Sequence, residues 1–454
     1  MTTSRSGGPA AVVTASATAA FVFYSAAVLA HADRLLARAY DQAFFEELVW
    51  NVGHGGGFLT GFTNGNFLGV HFEPILVLPA LLELAWPDAR LLTILNAFAL
   101  AAAAPAGFLL ARELLPNRPW LAAALAAPLP LWATIQQAAL ANFHPEAMAL
   151  PAALLAGWAG IRGHSWLCWC LALVALTAKE DQAYTVLVVG LLIAAAGRRR
   201  LGLQLAGAAL LYGLVVIAVV MPAIRGGVRS DVASYYGWLV TAHPIEIAGA
   251  LIHPAGWLAF AILILGMSGL PLLRWRWLAL ALPPFIADLL SHHAIQPDLR
   301  LHYGLLLVVP IFLAGLMGAR TLAGRGTRVP FIALALVALL VAALATPFAF
   351  RTEEPVLARL QACTRRLPPD APVAADDSVS APLAARHRLA PVALARATDF
   401  LVLDREGRQP SYVDREGRER VVSSLPAGER ISICADGRFE LWGPVERPVT
   451  KASP

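Results

Sequence analysis

LGLQLAGAALLYGLVVIAVVMP, Leu201 to Pro222, runs for 22 residues without a charged side chain, between the run Arg198, Arg199, Arg200 and Arg225. About 30 Å of hydrocarbon crossed at 1.5 Å per residue takes about 20 mostly apolar residues, so this stretch is long enough to span a bilayer as a helix. Runs of similar character surround it at 10–31, 91–111, 119–140, 145–161, 165–178, 182–197, 250–272, 275–291, 303–319 and 329–350. Together they predict an α-helical polytopic membrane protein with about eleven transmembrane helices. Several runs are short, but arginines at their ends can keep their charged heads in water. The first run has no charged leader beyond Arg5 and no small-residue cleavage site before a soluble domain, so it reads as a retained helix.

Composition agrees. Of 454 residues, 58% are hydrophobic and 14% charged, against roughly 45–50% and 25% in an ordinary soluble protein. Residues 351–454 hold 31 of the 65 charged side chains. This divides the chain into a transmembrane domain, 1–350, and a soluble domain, 351–454. The net charge of +5 is spread over scattered arginines with no basic stripe interleaved with aromatics, which excludes nucleic acid as a partner class.

One stretch is ambiguous. HFEPILVLPALLELAW, His71 to Trp86, carries Glu73, Glu83 and two prolines, and is expected to lie at the interface within a large first outer loop, 32–90. With the N-terminus inside and this stretch not crossing, 12 Lys or Arg of the first 350 residues lie inside and 7 outside. A crossing stretch with the N-terminus inside gives 6 against 13, which the positive-inside rule disfavours. A crossing stretch with the N-terminus outside gives 13 against 6, so charge counting does not separate it from the first arrangement. In the first arrangement 14 of the 15 acidic residues before Arg351 are outside, Glu113 being the exception. Any chemistry is then expected on the outer side of the membrane, where the tail also lies.

The tail reads as a small α/β domain: VAAD, a helical stretch around Ala381 to Arg388, FLVLD, ISICADG and FELWG. Outside the cytoplasm Cys363 and Cys434 could pair as a disulfide. No cysteine has metal-ligand spacing, and no phosphate loop, dinucleotide fingerprint or fixed-period repeat is present.

Ionisable groups at a membrane edge are costly, so clusters of them are candidates for function. In YDQAFFEELVWN, Tyr40 to Asn51, an apolar stripe of Phe44, Phe45, Leu48 and Val49 leaves Glu46 and Asn51 aside. This predicts an interfacial amphipathic helix with Asp41 at its start, where Asp41 is either a functional carboxylate or an N-cap. NFLGVHFEP contributes His71 and Glu73, and NFHPE contributes His144 and Glu146 in a very short turn. Such pairs suit a metal or a polar headgroup, and equally the ordinary preference of carboxylates for helix starts. AKEDQAY places Lys179, the only lysine of the first 350 residues, beside Glu180 and Asp181. Its compact charge suits a phosphate, or a neutralised pair with a glutamate. His302 and Tyr303 belong to a histidine-rich outer loop, where aromatic residues also form interfacial belts. HGGG, His54 to Gly57, looks like an esterase oxyanion loop, but no G-x-S-x-G elbow accompanies it.

In this order, YDQAFFEELVWN, HGGGF, GVHFEP, NFHPEAMALP, AKEDQAY, the HYG of His302 to Gly304 and the tail's DDSVSAPLAARHRLA resemble a family of bacterial predicted membrane proteins, domain of unknown function 2079. More remotely, the chain is similar to type C glycosyltransferases such as the aminoarabinose transferases and protein mannosyltransferases. Those have an acid soon after the first membrane helix, a proline-started segment in the first outer loop, an acid in the second and a lysine at a later helix end. Asp41, the segment after Pro74, Glu146 and Lys179 match by position. Asp41 is followed by Gln42 where those families often have a second acid.

The resemblance implies a membrane glycosyltransferase that moves a sugar from a polyprenyl-phosphate donor to an envelope acceptor. Asp41, as general base, and Glu146 are its implied catalytic residues. Lys179, His71, Glu73, His144, Glu180, Asp181, His302 and Tyr303 are its implied substrate-binding groups. A divalent metal stays open, as does oligomeric state; the lipid bilayer and the lipid-linked sugar are the expected partners. The rival class is a transporter or flippase of lipid-linked intermediates, which should place charge near the bilayer midplane, where only Asp288 and Glu83 come close. A scaffold would leave the edge clusters without purpose.

Overall fold

A computed structural model describes residues 7–37, 39–63, 65–88, 90–225, 231–293, 295–325, 337, 340, 356–407, 413–425 and 430–444. The chain forms two compact units. One comprises residues 1–27, 68–76 and 94–350; the other comprises 28–67, 77–93 and 351–454, so the first loop groups with the tail except for residues 68–76.

The first unit is helical. Among the described residues, five helices are long and apolar enough to cross a membrane: Gly7–Asp33, Arg90–Leu114, Arg199–Arg225, Pro244–Gly266 and Leu305–Gly324. Other apolar runs form shorter or broken helices. The run at 119–140 divides into Pro119–Ala126, a 3-10 turn at Leu129–Leu131 and Ala133–Leu140, because Pro128 and Pro130 lack the amide protons a continuous helix needs. Glu146–Arg162, Ser165–Leu176 and Gln182–Ala195 follow the expected positions. The run at 275–291 is broken as Trp275–Leu278, Ala279–Ala281 and Leu282–Leu289. The run expected at 250–272 is instead covered as far as Gly266 by two consecutive helices, Pro244–Leu251 and Pro254–Gly266, with extended backbone at His253 between them. The run at 329–350 lies outside the described residues except at 337 and 340.

Small residues pack these helices and large ones face outward. A Cβ on Gly202 would stand 2.3 Å from Ala194 N, and one on Gly190 2.7 Å from Ala206 N, so two helix backbones touch as small-residue membrane interfaces allow. Leu211 and Leu214, 63% and 60% exposed, turn the opposite way from buried Ala209 and Gly213. Water penalises that arrangement and lipid does not.

The second unit carries a five-stranded sheet of order β2-β1-β3-β5-β4. The strands are β1 (Val373–Ala375), β2 (Leu389–Pro391), β3 (Phe400–Asp404), β4 (Arg430–Ala435) and β5 (Phe439–Pro444). Val373 faces both Leu389 and Phe400 in parallel pairs, while Leu403 faces Glu440 antiparallel. The acids that end VAAD and FLVLD are clamped: Arg418 grips Asp376 at 2.6 and 2.7 Å, and Arg438 grips Asp404 at 3.0 and 3.1 Å. Cys363 and Cys434 form a disulfide. The expected helix at 381–388 is only a 3-10 turn, Ala381–Leu383. Its continuation is lost because buried Arg386 bends back to the carbonyls of Leu383 and Ala371. Strand β2 and helix Arg415–Ser423 were not expected.

Candidate functional site

In the first unit, residues 141–145 make the expected short turn and Glu146 opens a helix, where unpaired backbone N–H groups favour a carboxylate. Lys179, Glu180 and Asp181 fill another turn, between Ser165–Leu176 and Gln182–Ala195. The two turns meet: Lys179 Nζ donates to Glu146 Oε1 at 2.5 Å, with side chains only 13% and 6% exposed. Lys179 is thus paired with a glutamate, though with Glu146 and not with its neighbour Glu180.

The HFEP segment joins the same turn. His71 Nδ1 lies 3.0 Å from Glu180 Oε1, Phe72 N–H donates to Glu180 Oε2 at 2.9 Å, and Ile75 N–H donates to the Thr177 carbonyl at 3.0 Å. Glu73 is 1% exposed, and Glu146, His71, Lys179 and Glu180 act on it electrostatically. Asp181 accepts from Gln182 at 3.1 Å. His144 stacks on His302 with ring centroids 3.5 Å apart, and His302 lies 4.3 Å from Tyr303. All the expected site residues except Asp41 therefore lie in this unit.

The cluster separates its carboxyl groups. Burial would raise Glu180, but the charges of His71 and Lys179 and the bonds from His71 and Phe72 hold it at about 2. Burial, and then the charge of Glu146, push Glu73 well above the ordinary carboxyl value. Neighbouring acids driven apart in this way suit opposite proton roles. Among the described residues, no group of three or more His, Cys, Asp or Glu side chains is arranged to hold a metal ion.

Asp41 belongs to the second unit. The helix Phe44–Gly53 begins after Ala43, with no side-chain cap bond. Asp41 instead has φ 73° and ψ −78°, a γ-turn geometry that is strained for any residue but glycine. Ala39 N–H donates to Asp377 Oδ1 at 3.2 Å on the approach to this kink. Tyr40 lines a depression at the carboxyl ends of β1 and β2, together with Asp376, Asp377 and Arg418.

The amphipathic interfacial helix is a correction. Glu46 and Glu47 are 0% exposed and Asn51 2%, as deeply buried as Leu48 and Val49. Its polar side is covered by protein: Glu47 accepts from Thr60, from Gly61 N–H and from Leu389 N–H at 2.6 Å, and His387 lies 2.8 Å from Asn51. Period alone could not distinguish a wet face from one covered by the distant tail. Another polar group gave only a partial signal: Asp288 stood out near mid-segment, but its partner Gln296, at 2.8 Å, is an uncharged loop residue.

A family model described as predicted membrane protein, DUF2079, matches residues 31–416. The chain belongs to this family. No curated protein matches the DUF2079 chain. Among solved structures it is similar to ArnT from Cupriavidus metallidurans bound to undecaprenyl phosphate, at 13% identity and TM-score 0.53, over 95% of this chain and 99% of that one. ArnT in the apo state gives 13% identity and TM-score 0.51, over 94% and 98%. The archaeal oligosaccharyltransferase AglB from Archaeoglobus fulgidus, in complex with an inhibitory peptide and a dolichol-phosphate, gives 14% and 0.44, over 96% and 75%. The DUF2079 chain thus shares the polytopic fold of ArnT and carries a small C-terminal sheet domain.

Proposed function

We propose that this DUF2079 protein is a glycosyltransferase of the bacterial cytoplasmic membrane, passing a sugar from a polyprenyl-phosphate donor to an envelope acceptor on the outer side. The observation that carries the proposal is the buried turn cluster of Lys179, Glu146, Glu180, His71 and Glu73 in a fold shared with a protein that binds undecaprenyl phosphate. Charged groups buried at membrane helix ends are costly and are kept where they act. The Cys363–Cys434 disulfide supports an extracytoplasmic tail, because the cytoplasm keeps thiols reduced.

Asp41 is the proposed general base. It takes the proton of the acceptor hydroxyl as that oxygen attacks the anomeric carbon. The bond from this carbon to the phosphate oxygen breaks, the polyprenyl phosphate leaves with the electron pair, and the anomeric configuration inverts. Its strained backbone supports the assignment, since such strain concentrates at functional sites. Lys179 is the proposed cation for the leaving phosphate, with His71, His144 and His302 assisting. Glu146 holds the lysine charged and in place until the phosphate competes for it.

Deleting the gene in its own host and profiling envelope glycans and polyprenyl-linked sugars tests the proposal. The expected result is one sugar missing from an envelope glycan, with its lipid-linked donor accumulating on the outer leaflet. Accumulation confined to the inner leaflet would favour the flippase reading, and unchanged pools would reject both.

A further inference from the structure

The membrane unit buries a carboxylate that the proposed reaction does not use. Asp288, near the end of helix Leu282–Leu289, is 6% exposed. Its Oδ1 accepts from Gln296 Nε2 at 2.8 Å, whereas its Oδ2 has no hydrogen-bond partner among the described residues. Gln296 is committed elsewhere: its Oε1 accepts from the Ser291 hydroxyl at 2.8 Å, and its amide also donates to the Tyr236 oxygen at 3.4 Å. A buried acceptor left unmet is costly, and that cost is recovered when a ligand brings a donor.

Two further features indicate which ligand. Asp181 and Lys179 act on Asp288 electrostatically, and Lys179 is the phosphate cation proposed above. A row of rings then leads toward Glu146: Tyr235 to His293 at 5.2 Å, His293 to Tyr303 at 5.3 Å, Tyr303 to His302 at 4.3 Å and His302 to His144 at 3.5 Å. A carboxylate repels a phosphate and attracts a hydroxyl, and aromatic rings suit the C–H faces of a sugar.

We propose that Asp288, fixed by Gln296, Ser291 and Tyr236, binds a hydroxyl of the donor's monosaccharide and thereby selects which sugar the protein uses. The inference rests on the polyprenyl-phosphate donor reading. A site built around a sugar hydroxyl discriminates strongly against an analogue that lacks it, because its buried group is then left unpaired.

The test uses the full-length protein in nanodiscs and compares binding of undecaprenyl phosphate with a panel of undecaprenyl-phosphate monosaccharides, one of them an amino sugar, for wild type, Asp288→Asn and Gln296→Ala. The expected result is that wild type prefers at least one neutral sugar-bearing lipid over the bare lipid. Both variants then lose that preference by roughly tenfold or more while binding the bare lipid unchanged, which also shows that they are folded. Equal binding of all lipids by wild type, or equal loss of bare and sugar-bearing lipid in Asp288→Asn, overturns the sugar site and leaves the donor reading standing. A preference confined to the amino sugar assigns Asp288 to an ammonium and overturns the hydroxyl assignment. Failure of wild type to bind any of the lipids overturns the inference and the donor reading together.

Discussion

Lys179 and Glu146 form a 2.5 Å ion pair that fastens the turn before helix Gln182–Ala195 to the first turn of helix Glu146–Arg162. Removing one member of a buried pair leaves the other uncompensated and costs about 3–5 kcal/mol, whereas replacing both by apolar groups is often neutral. Glu146→Gln is therefore expected to lower the thermal midpoint in nanodiscs clearly, and Glu146→Leu with Lys179→Met to recover most of the loss. A single variant that melts with wild type contradicts a structural role for the pair.

Glu180 gives the cluster a pH dependence with a defined sign. Its folded carboxyl sits at about 2 against an ordinary 4.5. The stability it contributes is therefore fully present above about pH 4.5 and is lost as pH falls toward 2. The size is on the order of 3 kcal/mol. Glu180→Gln should flatten this part of the stability profile, measured by denaturation across that range, and an unchanged slope would assign it to other groups.

The membrane class and most helix positions were legible because lipid imposes a length and a composition that single stretches display. The turns at Asn142–Glu146 and Ala178–Gln182 were equally readable, since charges interrupt apolar runs there. Which partner each charge takes was not, because His71 and Glu180 are 109 residues apart and no local pattern pairs them. The polar side of Phe44–Gly53 was misjudged for the same reason, as its cover comes from Leu389. Strand β2 is three residues long, too short for alternation to show.

The disulfide offers a test of compartment as well as of stability. It closes a separation of 71 residues, and its loss from a small domain costs about 2–5 kcal/mol. Cys363→Ala with Cys434→Ala should make the tail markedly more protease-sensitive in spheroplasts. In intact wild-type cells both cysteines should resist alkylation until a reductant is added. Free thiols at Cys363 and Cys434 in wild type would contradict an extracytoplasmic tail.

Asp41 should separate stability from function. A non-glycine residue in so unfavourable a backbone region costs about 1–3 kcal/mol, which glycine avoids. Asp41→Gly is expected to melt no lower than wild type while losing activity. A large loss of stability would show that its side chain serves the fold.

The central claim is tested most directly by complementing a deletion strain with Asp41→Asn at matched membrane expression and measuring the envelope glycan. The expected result is a correctly inserted protein whose sugar transfer falls about 100-fold or more. Full restoration of the glycan by Asp41→Asn would contradict Asp41 as the base and, with it, the transfer mechanism set out above.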